Sequence, residues 1–318
     1  MKARQTIVMC GVAVLALATA TVQTAPGTGF SRIVAFGASL SDPGNAFVLR
    51  GGTNTPPDYD IDPLLVPSAP YARGGHHFSN GATWIEQYAR AAGLAGSVRP
   101  AFGGPGEGTN YAVAAARGCD DGANVNLEAQ VDAFLRDVDG DAPPDALYTI
   151  EIGGNDIRDA LIAFPNGHGP LLQCAIQSIA DNIGRLYVAG ARTMLVWRAP
   201  DLGLTPAIRT LDRFNPGARN LAAGLSGAFN TGLDGAIVQL SMLPGIRIVR
   251  LDAFRLLNDL VANGEAFGLA NVTMACVTPD VPPFTCQNPD QYLFWDGIHP
   301  TKAVHGIIAQ EAAAVLMR

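Results

Sequence analysis

Four short apolar runs, at residues 32–36, 146–152, 193–198 and 246–251, constrain this chain more than any other feature. Each has the length of a β-strand, and each is continuous rather than alternating, as in a parallel strand covered on both faces. Helical periodicity fills the intervals, over 82–92, 127–138, 171–189, 218–240, 253–263 and 303–317. Strand and helix therefore alternate, which predicts an α/β class with a mainly parallel open sheet. A fifth short strand is expected near 109–113, where GTNYAV follows a glycine-rich loop. In such sheets ligands bind outside the carboxyl ends of the strands. Residues 51–80 and 264–295, rich in Pro, Gly, Asn and aromatics, read as long loops able to wall a pocket.

The amino terminus sets the compartment. Lys2 and Arg4 precede an apolar run over 7–18, and Ala18, Thr19 and Ala20 offer small residues for cleavage. This pattern predicts a signal peptide over 1–20 with cleavage near 20–26, leaving one domain over 27–318 and a secreted or periplasmic location. The run is shorter than the roughly 20 residues that span a bilayer, so no stable membrane insertion is expected. Removing Lys2 and Arg4 takes the formal charge from −7 to −9 and leaves Lys302 as the one lysine. Nucleic acid is excluded as a partner on that balance. Cys119, Cys174, Cys276 and Cys286 then form an even set in an exported chain, which predicts two disulfides. Of the three pairings, Cys276 with Cys286 and Cys119 with Cys174 is preferred, the first closing a Pro-rich loop.

The stretch FGASLSDPGN, residues 36–45, ends the first strand in two serines, an aspartate and a Pro-Gly turn. It is not an α/β-hydrolase elbow, because Ser41 stands where that motif needs glycine. Neither is GGPGEG, 103–108, a dinucleotide loop, since Thr109 takes the place of the last glycine. A serine nucleophile needs a base within hydrogen-bond reach and a group that fixes the base's tautomer. Among the five histidines, His76 and His77 are adjacent and point apart, His168 sits in a turn, and His305 lies inside the last helix. His299 has Asp296 three residues before it and Pro300 after it, a spacing that sets a carboxylate on Nδ1 and leaves Nε2 free. Taken alone, the pair also describes a surface Asp and His beside a helix start. Donors for an oxyanion are offered by the Ser39 N–H at a helix start and by the Asn155 amide in GGND, which equally reads as a capped strand-to-helix turn.

Taken in order, FGASLSDPGN, NYAVAAAR at 110–117, GGND at 153–156 and DGIHPT at 296–301 resemble the blocks of the GDSL esterase/lipase family, also called SGNH hydrolases. HFSNGATWIE, 77–86, is similar to a segment of many longer members. The resemblance implies a three-layer flavodoxin-like fold with a mainly parallel five-stranded sheet and a serine esterase or lipase acting on acyl esters. It implies Ser39 as nucleophile, His299 as base, Asp296 as its partner, and an oxyanion hole of Ser39, Ala114 and Asn155. No metal or organic cofactor is implied, the partner being a small-molecule or lipid ester, and a monomer is expected. Two departures stand out: Ala38 replaces the family's Asp, and Ala114–Ala115 replaces a glycine pair. The latter motivates an alternative, a non-catalytic carbohydrate- or lipid-binding protein on the same fold. Phe284, Tyr292, Phe294 and Trp295 mildly favour an acyl or aromatic pocket, although core packing explains such residues more often.

Overall fold

The computed structural model describes residues 29–104, 106, 108–164 and 169–318; the expected signal peptide and its cleavage point lie outside them, as does His168. Strands β1 (Ile33–Gly37), β2 (Leu147–Glu151), β3 (Thr193–Arg198) and β4 (Arg247–Asp252) form one sheet in that order, every pair parallel. Helices α1 (Asn45–Leu49), α2 (Trp84–Ala91) and α3 (Leu127–Asp137) precede β2. After it come α4 (Gly154–Ala163), α5 (Gly169–Ala189), α6 (Pro206–Phe214), α7 (Ala218–Leu240), α8 (Ala253–Ala262) and α9 (Lys302–Leu316).

The apolar runs are continuous because both faces of the sheet are packed. Val34, Phe36, Tyr148, Ile150, Met194 and Val196 point into one core, closed by α3, α4, α5 and α7 through Phe134, Ile157, Ile179 and Phe229. Ile33, Ala35, Leu147, Leu195, Trp197 and Leu251 point into the other, closed by α2, α8 and α9 through Trp84, Leu256 and Val304. Three layers result, as the sequence implied.

The sheet has four strands among the described residues, which corrects the expected five. Residues 109–113 do run beside β1: the Ala35 N–H donates to Thr109 O (3.0 Å), Tyr111 N–H to Ala35 O (2.7 Å) and Val113 N–H to Gly37 O (3.1 Å). They form only an isolated bridge, because the Asn110 side chain bonds the Ala112 N–H and Ser41 O and turns the backbone into a loop. The segment 264–295 is likewise not all loop. It contributes β5 (Asn271–Ala275) and β6 (Tyr292–Phe294), a parallel pair. Both expected disulfides are present, Cys119–Cys174 and Cys276–Cys286. No described helix is long and apolar enough to cross a membrane.

Candidate active site

β1 delivers Ser39 to the carboxyl edge of the sheet, in a turn closed by Ser41 N–H on Ala38 O (3.1 Å) rather than at a helix start. The turn is anchored from below. Gln130 of α3 bonds both backbone groups of Gly37, each at 2.9 Å, and the Ala38 N–H donates to Glu151 O and Oε2, both at 3.1 Å. Ser41 accepts from the Trp84 indole N–H (3.0 Å). Glu151, at the end of β2, is buried, and burial pushes its carboxyl up to about 8, so it is largely protonated near neutrality.

Asp42 explains the remaining letters of the motif. Its buried carboxylate accepts the N–H groups of Gly44 (2.8 Å), Ala46 (3.1 Å) and Ala114 (2.8 Å). It thus caps α1 and ties the serine turn to the 112–116 loop. Burial raises the Asp42 pKa, against the lowering by these backbone donors.

His299 arrives from the other end of the chain. Trp295 N–H donates to His299 O (2.8 Å), and Phe294 pairs with Pro300 in an antiparallel bridge, so 295–299 form a tight loop after β6. Gly297 packs so closely on Leu64 and Leu65 that a Cβ there would meet the Leu64 carbonyl oxygen. Within the loop, Asp296 Oδ1 accepts the backbone N–H of Ile298 (2.9 Å) and of His299 (2.8 Å). Oδ2 lies 2.8 Å from His299 Nδ1, and the Tyr71 hydroxyl donates to it at 2.9 Å. Asp296 is fully buried and His299 nearly so. An ionised carboxylate only accepts, so Nδ1 carries the imidazole proton and Nε2 is left as an acceptor. Nε2 stands 2.9 Å from Ser39 Oγ, across 260 residues of sequence.

The other described histidines sit elsewhere. His76 stacks on Phe47. His77 pairs with Glu86 at 2.9 Å, where burial works against its charge but the Glu86 carboxylate prevails and raises its pKa. His305 is buried, accepts the Trp84 N–H at 3.1 Å, and is held down to about 3, chiefly by burial.

Ser39, Ala115, Asn155, Arg158, Phe78 and His299 line a cleft of about 260 Å³. Asn155, in the first turn of α4, donates one amide hydrogen to Ala116 O (2.9 Å), which aligns the other. Its neighbour Asp156 accepts the N–H groups of Gly118 and Cys119 at 3.0 Å each and fixes the same loop. Gly153 precedes them with φ 124°, and a Cβ there would strike the Phe229 ring. The expectation for Ala114 is corrected: both Ala114 and Ala115 line the cleft, but the Ala114 N–H is spent on Asp42 (2.8 Å), and Ala115 follows with φ 71°. Of the four aromatics considered as pocket walls, Trp295, Tyr292 and Phe284 pack with Tyr59, Tyr71 and the Cys276–Cys286 bridge behind Asp296. The sequence reading missed Tyr71, Asp42 and Glu151. Only Asp42 carried a signal, as an Asp two residues before glycine in a turn.

A model of the GDSL-like lipase/acylhydrolase family matches residues 33–312. The chain belongs to that family. A GDSL esterase/lipase of Arabidopsis thaliana is 30% identical over 281 residues, covering 74% of this chain and 71% of that one. Esterase EstA of Pseudomonas aeruginosa is 30% identical over 339 residues, covering 93% of this chain and 49% of EstA. A second Arabidopsis thaliana GDSL esterase/lipase is 30% identical over 184 residues, 52% of each chain. The chain thus spans about half the length of several curated family relatives it matches. For a GDSL-family chain, the four sequence blocks converge on one edge of the sheet.

Proposed function

We propose that this chain is a secreted or periplasmic serine hydrolase of carboxylic esters, acting as a monomer through one domain over 27–318. Ser39 Oγ attacks the ester carbonyl carbon as His299 Nε2 takes its proton. The negative oxygen of the tetrahedral intermediate is received by the N–H groups of Ser39 and Ala115 and by the free amide hydrogen of Asn155. Asp296 stabilises the imidazolium that forms and holds its tautomer. Nε2 then returns the proton to the departing alcohol, and a water deprotonated at the same nitrogen releases the acid from Ser39. This sequence needs no metal or organic cofactor.

One observation carries the reading: the 2.9 Å contact of Ser39 Oγ with His299 Nε2, in line with the 2.8 Å contact of Nδ1 with Asp296. The alanine pair gives the binding-protein alternative no support, since alanine at 115 keeps its N–H. The test is hydrolysis of p-nitrophenyl acetate and butyrate by the chain and by Ser39→Ala. A fall of roughly 10⁴–10⁶ in kcat is expected. Equal rates would overturn the proposal.

A further inference from the structure

Beside the cleft that holds Ser39 and His299 lies a second cavity, apolar and of about 60 Å³, lined by Leu40, Trp197, Leu257, Ile298 and Val304 among others. Leu40 and Ile298 are the chain neighbours of Ser39 and His299, and Ile298 lines both cavities, so they share a wall. We propose that this cavity is the acyl pocket and that it selects short, straight, uncharged acyl groups. The assignment deepens the esterase reading above and rests on it.

The order of bond breaking decides which half of the ester goes where. The alcohol must take a proton from His299 Nε2 and leave to water, so it needs the open side. That side carries Arg50, Ser68 and Arg158. The acyl group stays bound to Ser39 through the second half of the reaction and gains from an enclosed, dry site. Cavity chemistry agrees: no charged side chain lines it, and the Thr205 hydroxyl on its wall donates to Leu202 O at 2.8 Å. Among the described residues of the wall, the one side-chain donor left without a partner is the buried Trp197 indole N–H, so an ionised acyl group would lose its water there with no charge to replace it.

Size sets the length. An apolar cavity of about 150 Å³ takes benzene, so 60 Å³ takes about two or three carbons beyond the carbonyl. Each buried methylene is worth about fourfold in kcat/KM up to that limit.

The test is kcat/KM on p-nitrophenyl acetate, propionate, butyrate, hexanoate and octanoate, for the unmodified chain and two variants. The chain should rise to an optimum at butyrate and fall beyond it. Leu257→Ala, which enlarges the cavity, should move the optimum to hexanoate or octanoate; Ala253→Leu, which fills it, should move it to acetate. Either shift supports the assignment. Profiles of unchanged shape in both variants, or a wild-type preference for octanoate over butyrate, overturn it while leaving the esterase reading intact. Inactivity of the unmodified chain on all five esters overturns that underlying reading and this assignment with it.

Discussion

Asp296 receives hydrogen bonds from four donors, and the one from Tyr71 crosses 225 residues of sequence. Tyr71 is fully buried and packs edge-on against Trp295 and Tyr59, so its hydroxyl is held rather than free to rotate away. Tyr71→Phe keeps that packing and removes one donor to the carboxylate. A fall of roughly fivefold in kcat with little change in KM is expected, corresponding to about 1 kcal/mol; steady-state kinetics on p-nitrophenyl butyrate would show it. Ala115 is a second case. At φ 71° it occupies the left-handed region that costs an L-residue about 1 kcal/mol. Ala115→Gly should therefore raise the unfolding free energy by up to about 1 kcal/mol in a urea titration, less the entropy glycine adds to the unfolded chain. Ser39, Asn155, Asp296 and His299 were readable from short motifs because their spacing is local. Tyr71 was not, since its contact exists only after a loop has folded over the carboxylate. The choice between Ala114 and Ala115 turned on the Asp42 carboxylate, which no spacing rule reveals.

Among the elements, α1 is five residues long and owes its start to Asp42. That carboxylate also fixes the loop carrying Ala115. Asp42→Asn offers one acceptor oxygen where three N–H groups converge, so at least one buried donor is stranded. Destabilisation by about 1–3 kcal/mol is expected, together with a loss of kcat, measured by denaturant unfolding and ester hydrolysis. The two disulfides should differ in value. Cys119–Cys174 closes a separation of 55 residues and Cys276–Cys286 one of 10, which on loop-closure entropy corresponds to about 4 and about 3 kcal/mol. Replacing the first pair by serine should lower the urea midpoint more than replacing the second. Helices α1, α4 and α6 were not among those assigned from periodicity, although GGND already read as a turn leading into a helix. In α6 the signal was there, since Thr205 caps and Pro206 sits at the first position. In α4 it was hidden, because Gly153 and Gly154 look like a turn and only two residues separate the helix from β2.

At the scale of the whole molecule, two buried titratable groups oppose each other. Glu151 keeps its proton in the folded chain up to about pH 8 but releases it near 4.5 when unfolded, so stability falls as pH rises between those values. His305 takes up a proton near 6.5 when unfolded but only near 3 when folded, so stability falls as pH drops through that interval. Between about 4.5 and 6.5 the two slopes cancel. In melting temperature these two groups by themselves give a plateau there with a decline on both sides, while the raised pKa values of Asp42 and His77 add to the loss of stability as pH rises. Glu151→Gln should flatten the alkaline limb and His305→Gln the acid limb; limbs unchanged by these variants would exclude both groups as the cause. The layered architecture was legible because β1, β2 and β3 are buried at nearly every position, which their consecutive apolar residues signal. The strand count was not: the Asn110 side chain competes with the backbone ladder, and composition does not register that contest. One further point follows from the distance between Ser39 and its imidazole. The ribosome makes the hydroxyl early and His299 260 residues afterwards, so a growing polypeptide carries no armed serine. If the proposed mechanism holds, reactivity towards esters begins only when the tail has been synthesised and has docked, which would spare the cell from attack by its own unfinished product.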